Sequence, residues 1–132
     1  MSPNWTKPTR VGLMQHLNNY IRTKKMRKVT EQITEAFLNG RKLTVGNSMT
    51  DGNSIFLHGN KIAWRDEGEL FISMCGWGTP TTRERLNGLL RTINADVRIH
   101  QRNYEQLLVN DKTKVQIPMI QSNADVIVRV EV

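Results

Sequence analysis

Cysteine occurs once in the 132 residues, at Cys75. A single thiol excludes an intramolecular disulfide and a cysteine-based zinc cluster within one chain, and nothing in the composition suggests secretion. Cys75 ends the largely apolar run Leu70-Phe71-Ile72-Ser73-Met74-Cys75, where a buried, inert thiol is expected rather than a nucleophile. No stretch approaches the roughly 18 to 20 apolar residues of a membrane span. Met1 to Pro8 lacks the apolar segment of a secretion signal. The expected location is therefore the cytoplasm, with no membrane partner. Aromatic residues are few, at three Trp, two Tyr and three Phe, but an apolar share of 38% suffices for one core in a chain of this size.

Acidic residues are scarce in the first third. Residues 1–42 carry nine basic side chains against Glu31 and Glu35, whereas residues 43–132 carry ten of each sign. The whole net charge of +7 thus arises before residue 43. Clustered charge raises the local potential and speeds encounter with nucleic acid or an acidic protein surface.

Pro3 and Pro8 flank Trp5 in what reads as an extended arm over residues 1–10. Trp5 can dock on the core or stack on a partner. Val11, Met14, Leu17 and Ile21 recur at helical spacing, and the basic run Arg22 to Lys28 follows. Val29, Ile33, Ala36 and Phe37, with Gly40 as a stop, predict a second helix. Beyond Gly40 the period falls to two. Leu43–Val45 reads as a strand and Met49–Asn53 as a turn; Ser54–His58 and Lys61–Arg65 form a hairpin about Gly59-Asn60, and Glu69–Cys75 another strand.

Gly76-Trp77-Gly78 breaks the sheet before a third helix, capped by Thr81 with Glu84 or by Thr79 followed by Pro80. Its stripe of Leu86, Leu89, Leu90 and Ile93 leaves Arg83, Arg85, Asn87 and Arg91 less buried. Strands are expected over Asp96–Arg102, Tyr104–Val109, Thr113–Ile117 and Ala124–Val132, with Pro118 at a strand end or edge. The predicted fold is one α+β domain over residues 11–132: two N-terminal helices and one central helix covering a curved antiparallel sheet.

Motifs for chemistry are sparse. The chain has no GxxxxGK(S/T) loop, no GxGxxG between strand and helix, and no HExxH, so no cofactor or metal is expected. His58 and His100, if the fold brought them together, could act as base and acid on a ribose-phosphate bond with Arg98 or Arg102 stabilising the phosphate. His100 can equally stand on a solvated sheet face. Asp51, Asp66, Glu67 and Glu69 fall in turns, where carboxylates serve the backbone. Gly76-Trp77-Gly78 with Thr79, Thr81 and Thr82 could admit an anion to the helix terminus, or serve only to reverse and cap the chain.

The segments His58-Gly59-Asn60-Lys61-Ile62-Ala63 and Gly76-Trp77-Gly78-Thr79-Pro80-Thr81-Thr82-Arg83-Glu84-Arg85-Leu86-Asn87 resemble small uncharacterised proteins of bacteriophages. That resemblance covers about a third of the chain and names no activity. It implies an origin in a phage or mobile element, and so a role in replication, DNA transactions or interference with a host complex.

The expected function is that of a nucleic-acid-binding accessory protein. Phosphate contacts are assigned to Arg22, Lys24, Lys25, Arg27 and Lys28, with Arg83, Arg85 and Arg98 in support; Arg98, His100 and Arg102 can share a strand face with Tyr104 in line, and a Tyr or Trp could stack on an unpaired base. The partner is DNA or RNA. The alternative partner is an acidic host or virion protein, and exposed strand edges could also pair two copies of the chain.

Overall fold

A computed structural model describes residues 26–76, 79–121 and 124–130. The arm over residues 1–10, the helix expected from Val11 to Ile21, and Arg22, Lys24 and Lys25 lie outside these.

Helix α1 (Lys28–Leu38) follows the apolar spacing, burying Ile33, Ala36, Phe37 and Leu38. It ends at Asn39, and Gly40 follows in the left-handed region at φ 70°. Strands β1 (Leu43–Val45), β2 (Ser48–Thr50), β3 (Ser54–Leu57), β4 (Asn60–Asp66) and β5 (Glu69–Ile72) form an antiparallel meander. The turn expected over Met49–Asn53 contracts to residues 51–53, because Met49 pairs with Thr44 on one side and Phe56 on the other. Asp51 Oδ1 accepts the N–H groups of Asn53 and Ser54, which sets the shorter turn. The hairpin turn expected at Gly59-Asn60 falls one residue earlier, on His58-Gly59, where φ is 52° and 80°.

Helix α2 (Pro80–Thr92) begins at Thr79, whose hydroxyl accepts the N–H of Thr82, with Pro80 at the first helical position. Glu84 is therefore free of a capping box and reaches across to α1. Strands β6 (Val97–Arg102), β7 (Glu105–Asn110) and β8 (Gln116–Pro118) follow as a second antiparallel sheet. Ile120–Gln121 (β9) and Ala124–Asp125 (β10) make a short two-stranded ladder. Val128–Val130 (β11) pairs with β5, completing a six-stranded sheet of order β1-β2-β3-β4-β5-β11.

The expected single curved sheet is thus corrected. The described residues hold one N-terminal helix, one central helix and separate antiparallel sheets. The division has a visible cause at β6, whose outer edge is occupied by a side chain. Asn87 of α2 donates to the carbonyl of Ile99 at 2.9 Å and accepts its N–H at 2.8 Å. Those two groups would otherwise be available to another strand.

One apolar cluster joins all the layers: Ile33 and Phe37 from α1, Leu57, Ile62, Leu70 and Ile72 from the larger sheet, Leu86, Leu89 and Leu90 from α2, and Ile99 and Leu108 from the smaller. No helix among the described residues is long and apolar enough to cross a membrane.

Candidate nucleic-acid interface

Arg27 occupies the N-cap of α1 in extended conformation, with no side-chain cap bond, and Lys28 is the first helical residue. Both are exposed. Cations here oppose the positive end of the helix dipole by a few tenths of a kcal/mol, so helix stability does not account for them. Arg22, Lys24 and Lys25 precede them in sequence, outside the described residues. Residues 1–25 carry five cations and no carboxylate, so the rest of the chain is close to neutral.

The three later arginines make contacts within the fold. Arg83 Nη1 donates to the side-chain oxygens of Gln101 and Gln106, at 3.0 and 2.9 Å. Arg98 Nη1 donates to the carbonyls of Ala95 and Val97. Arg85, expected to be less buried, is only 7% exposed. Its guanidinium donates to Ser48 Oγ at 3.1 Å, to Thr30 Oγ1 at 2.8 Å and to the Glu84 carboxylate. Thr30 Oγ1 in turn donates to the same carboxylate. This chain of charge-assisted bonds ties α1, α2 and β2 together, and it satisfies a charge that burial would otherwise make costly.

The alternation along β6 places Ile99 and Gln101 toward α2 and Arg98, His100 and Arg102 on the opposite face. His100 and Arg102 are exposed there. Tyr104 follows in the β6–β7 turn and is 94% exposed. The other aromatic rings with resolved contacts are engaged. Trp64 stacks on its cross-strand neighbour Phe71 with centroids 5.9 Å apart and has Lys61 Nζ 5.4 Å over its ring. Phe37 lies 4.4 Å from the Arg65 guanidinium, which also donates to the Phe37 carbonyl. Burial lowers Arg65 from the ordinary arginine value, but guanidinium basicity is high enough for it to stay charged at neutral pH.

The structure separates the candidate catalytic histidines. His58 stands in the β3–β4 turn of the six-stranded sheet, its Nε2 3.2 Å from Asn47 Nδ2, while His100 lies on the three-stranded sheet. A cavity of about 160 Å³ beside His58 is lined by Leu57, Asn60, Ile62, Met74, Cys75, Thr79 and Thr82. Its walls are mainly apolar, Cys75 Sγ donates to the Lys61 carbonyl at 2.8 Å, and the Thr79 hydroxyl is spent on the helix cap. Trp77 and Gly78 of the proposed anion loop lie outside the described residues. Among those described, no three His, Cys, Asp or Glu side chains gather as metal ligands.

Two structural side chains escaped the sequence reading, Arg85 and Asn87. Both sit beside leucines of the apolar stripe, yet hydrophobic spacing carries no information about which polar neighbours find partners on another element. The i+3 spacing of Thr81 and Glu84 pointed to a local cap and concealed the contact of Glu84 with Thr30, 54 residues away.

Residues 26–125 match the family described as Kyanoviridae Gp96 protein. The match spans most of the chain, which belongs to this phage-associated family. No curated protein and no solved structure matches it. The five cations of residues 1–25 precede the matched stretch.

Proposed function

We propose that this member of the Kyanoviridae Gp96 family is a nucleic-acid-binding accessory protein of the phage, holding phosphates through Arg22, Lys24, Lys25, Arg27 and Lys28. The observation that carries the reading is the partition of charge. Residues 26–132 are nearly neutral in sum, residues 1–25 carry five cations and no carboxylate, and Arg27 and Lys28 stand exposed at the start of the described residues. Arg83, Arg85 and Arg98 have bonding partners inside the fold, so their contribution is to hold the scaffold.

Binding of this kind is governed by counterion release. The logarithm of the affinity falls linearly with the logarithm of salt concentration, by about 0.9 per phosphate neutralised on duplex DNA and about 0.7 on a single strand. Fluorescence anisotropy with matched single- and double-stranded DNA and RNA across a salt series tests it, using protein freed of co-purified nucleic acid. Joint replacement of Lys24, Lys25, Arg27 and Lys28 by Gln is expected to flatten the slope. Absence of binding to every form at low salt overturns the reading.

A second reading, contact with a host or virion protein, draws on the edge strand β8. Ile117 on that strand is 38% exposed and Val115 just before it 58%, a surface on which a partner strand could add. Tyr104 and Val115 lie at opposite ends of the β6–β7–β8 ladder, so these exposed apolar groups form no single patch. Binding to a protein partner with none to nucleic acid would select this reading.

A further inference from the structure

From the β6–β7 turn we infer that the protein prefers unpaired nucleic acid, with Tyr104 as the platform on which an exposed base stacks. This rests on the nucleic-acid reading above and assigns it a substrate class.

Three hairpins of the chain share one geometry, in which two residues with positive φ join paired strand ends. In the β3–β4 turn they are His58 and Gly59, at 52° and 80°; in the β4–β5 turn Glu67 and Gly68, at 50° and 78°; in the β6–β7 turn Asn103 and Tyr104, at 51° and 65°. The second position takes glycine twice, as expected where a Cβ is disfavoured. In the third hairpin it takes a tyrosine, for which a left-handed backbone is an outlier. Among the described residues the ring gains little in return, since it is 94% exposed. A strained, solvent-facing aromatic among hairpins that otherwise use glycine marks a group placed for contact with another molecule.

The surroundings indicate which molecule. Arg102 and His100 stand exposed two residues apart on the face of β6 turned from α2. Glu105, cross-strand from Arg102, is the carboxylate nearest the tip in the pairing register. An aromatic ring with cationic and hydrogen-bonding groups spaced along a strand suits successive nucleotides, the ring for a base and the guanidinium for the adjoining phosphate. The bases of a duplex are stacked on each other and offer no free face to a protruding ring, so the contact discriminates for unpaired strands.

The test uses the full chain with fluorescein-labelled oligothymidylate of roughly 16 nucleotides, a footprint for one small domain, and a mixed-sequence duplex of the same length. Tyr104→Gly removes the ring while relieving the backbone, so its thermal midpoint should equal or exceed that of the parent. Its affinity for the single strand should fall by about 5- to 100-fold with the salt slope unchanged, and its affinity for the duplex should hardly move. Tyr104→Phe should retain single-strand binding. Arg102→Gln should instead reduce the single-strand slope by about 0.7. Parent protein that binds while Tyr104→Gly binds the single strand equally well overturns this inference and leaves the nucleic-acid reading standing, as does a parent that prefers the duplex. Failure of the parent to bind either probe overturns this inference, and failure to bind RNA of both forms as well overturns the nucleic-acid reading too.

Discussion

Gly88 of α2 lies so close to Thr30 of α1 that a Cβ added to the glycine would stand 2.4 Å from the threonine Cγ2. The threonine cannot simply turn aside. Its hydroxyl is fixed between the Glu84 carboxylate and Arg85 Nη1, and a β-branched side chain in a helix has few rotamers to choose from. The two helices cross at a point where one contributes no side chain and the other a locked one.

That contact decides the sign of a common helix substitution. Gly to Ala within a helix ordinarily stabilises by about 1 kcal/mol, but here Gly88→Ala should destabilise by about 1–3 kcal/mol through overpacking. Thr30→Ser keeps the hydroxyl and deletes the clashing methyl, so the double variant should recover most of the loss. Urea unfolding of the four proteins measures the coupling, and strictly additive effects would contradict it.

Arg85 separates a structural arginine from a phosphate-binding one. Arg85→Met should lower stability by about 2–4 kcal/mol, because Ser48, Thr30 and Glu84 lose a shared charged donor. Arg85→Lys should rescue only part of this, since an ammonium cannot reproduce donation from both Nε and Nη1. Where the variants remain folded, their salt dependence of nucleic-acid binding should match the parent. A reduced slope with unchanged stability would place Arg85 on the ligand instead.

Asn87 should behave as a local lock on β6. Asn87→Ala leaves the Ile99 N–H and carbonyl without their partner and should cost about 1–3 kcal/mol. Asn87→Asp keeps the acceptor for the N–H and loses the donor to the carbonyl, so it should restore only one of the two bonds. Native-state hydrogen exchange supplies the specific readout, with the Ile99 amide losing protection more than its β6 neighbours. Uniform loss across the smaller sheet would mean that Asn87 acts through global stability alone.

Much of the local architecture was legible in short-range pattern. The spacing of Val29, Ile33, Ala36 and Phe37 located α1, and Leu86, Leu89 and Leu90 the buried side of α2; the turn expected over Asp66-Glu67-Gly68 was found there, shortened to Glu67-Gly68 by the pairing of Asp66 with Glu69. Hydrophobic periods and turn residues report on neighbours within a few positions, which is the range over which helices and hairpins form. The sheet count was not legible. It depends on β11 joining β5 across more than fifty residues and on Asn87 closing the free edge of β6.

The sequence by itself determined that the chain is basic, that its excess charge precedes residue 43, and that the remainder alternates between helical and strand periods around enough apolar residues for one core. Charge is a property of composition and position along the chain, so it needs no fold to be read. Only the tertiary structure decided that Arg85 belongs to the interior and Tyr104 to solvent, and that His58 and His100 stand on different sheets. Each of those outcomes is a choice of partner made by distant segments, and residue type alone encodes the capacity to bond but not the partner with which the bond is made.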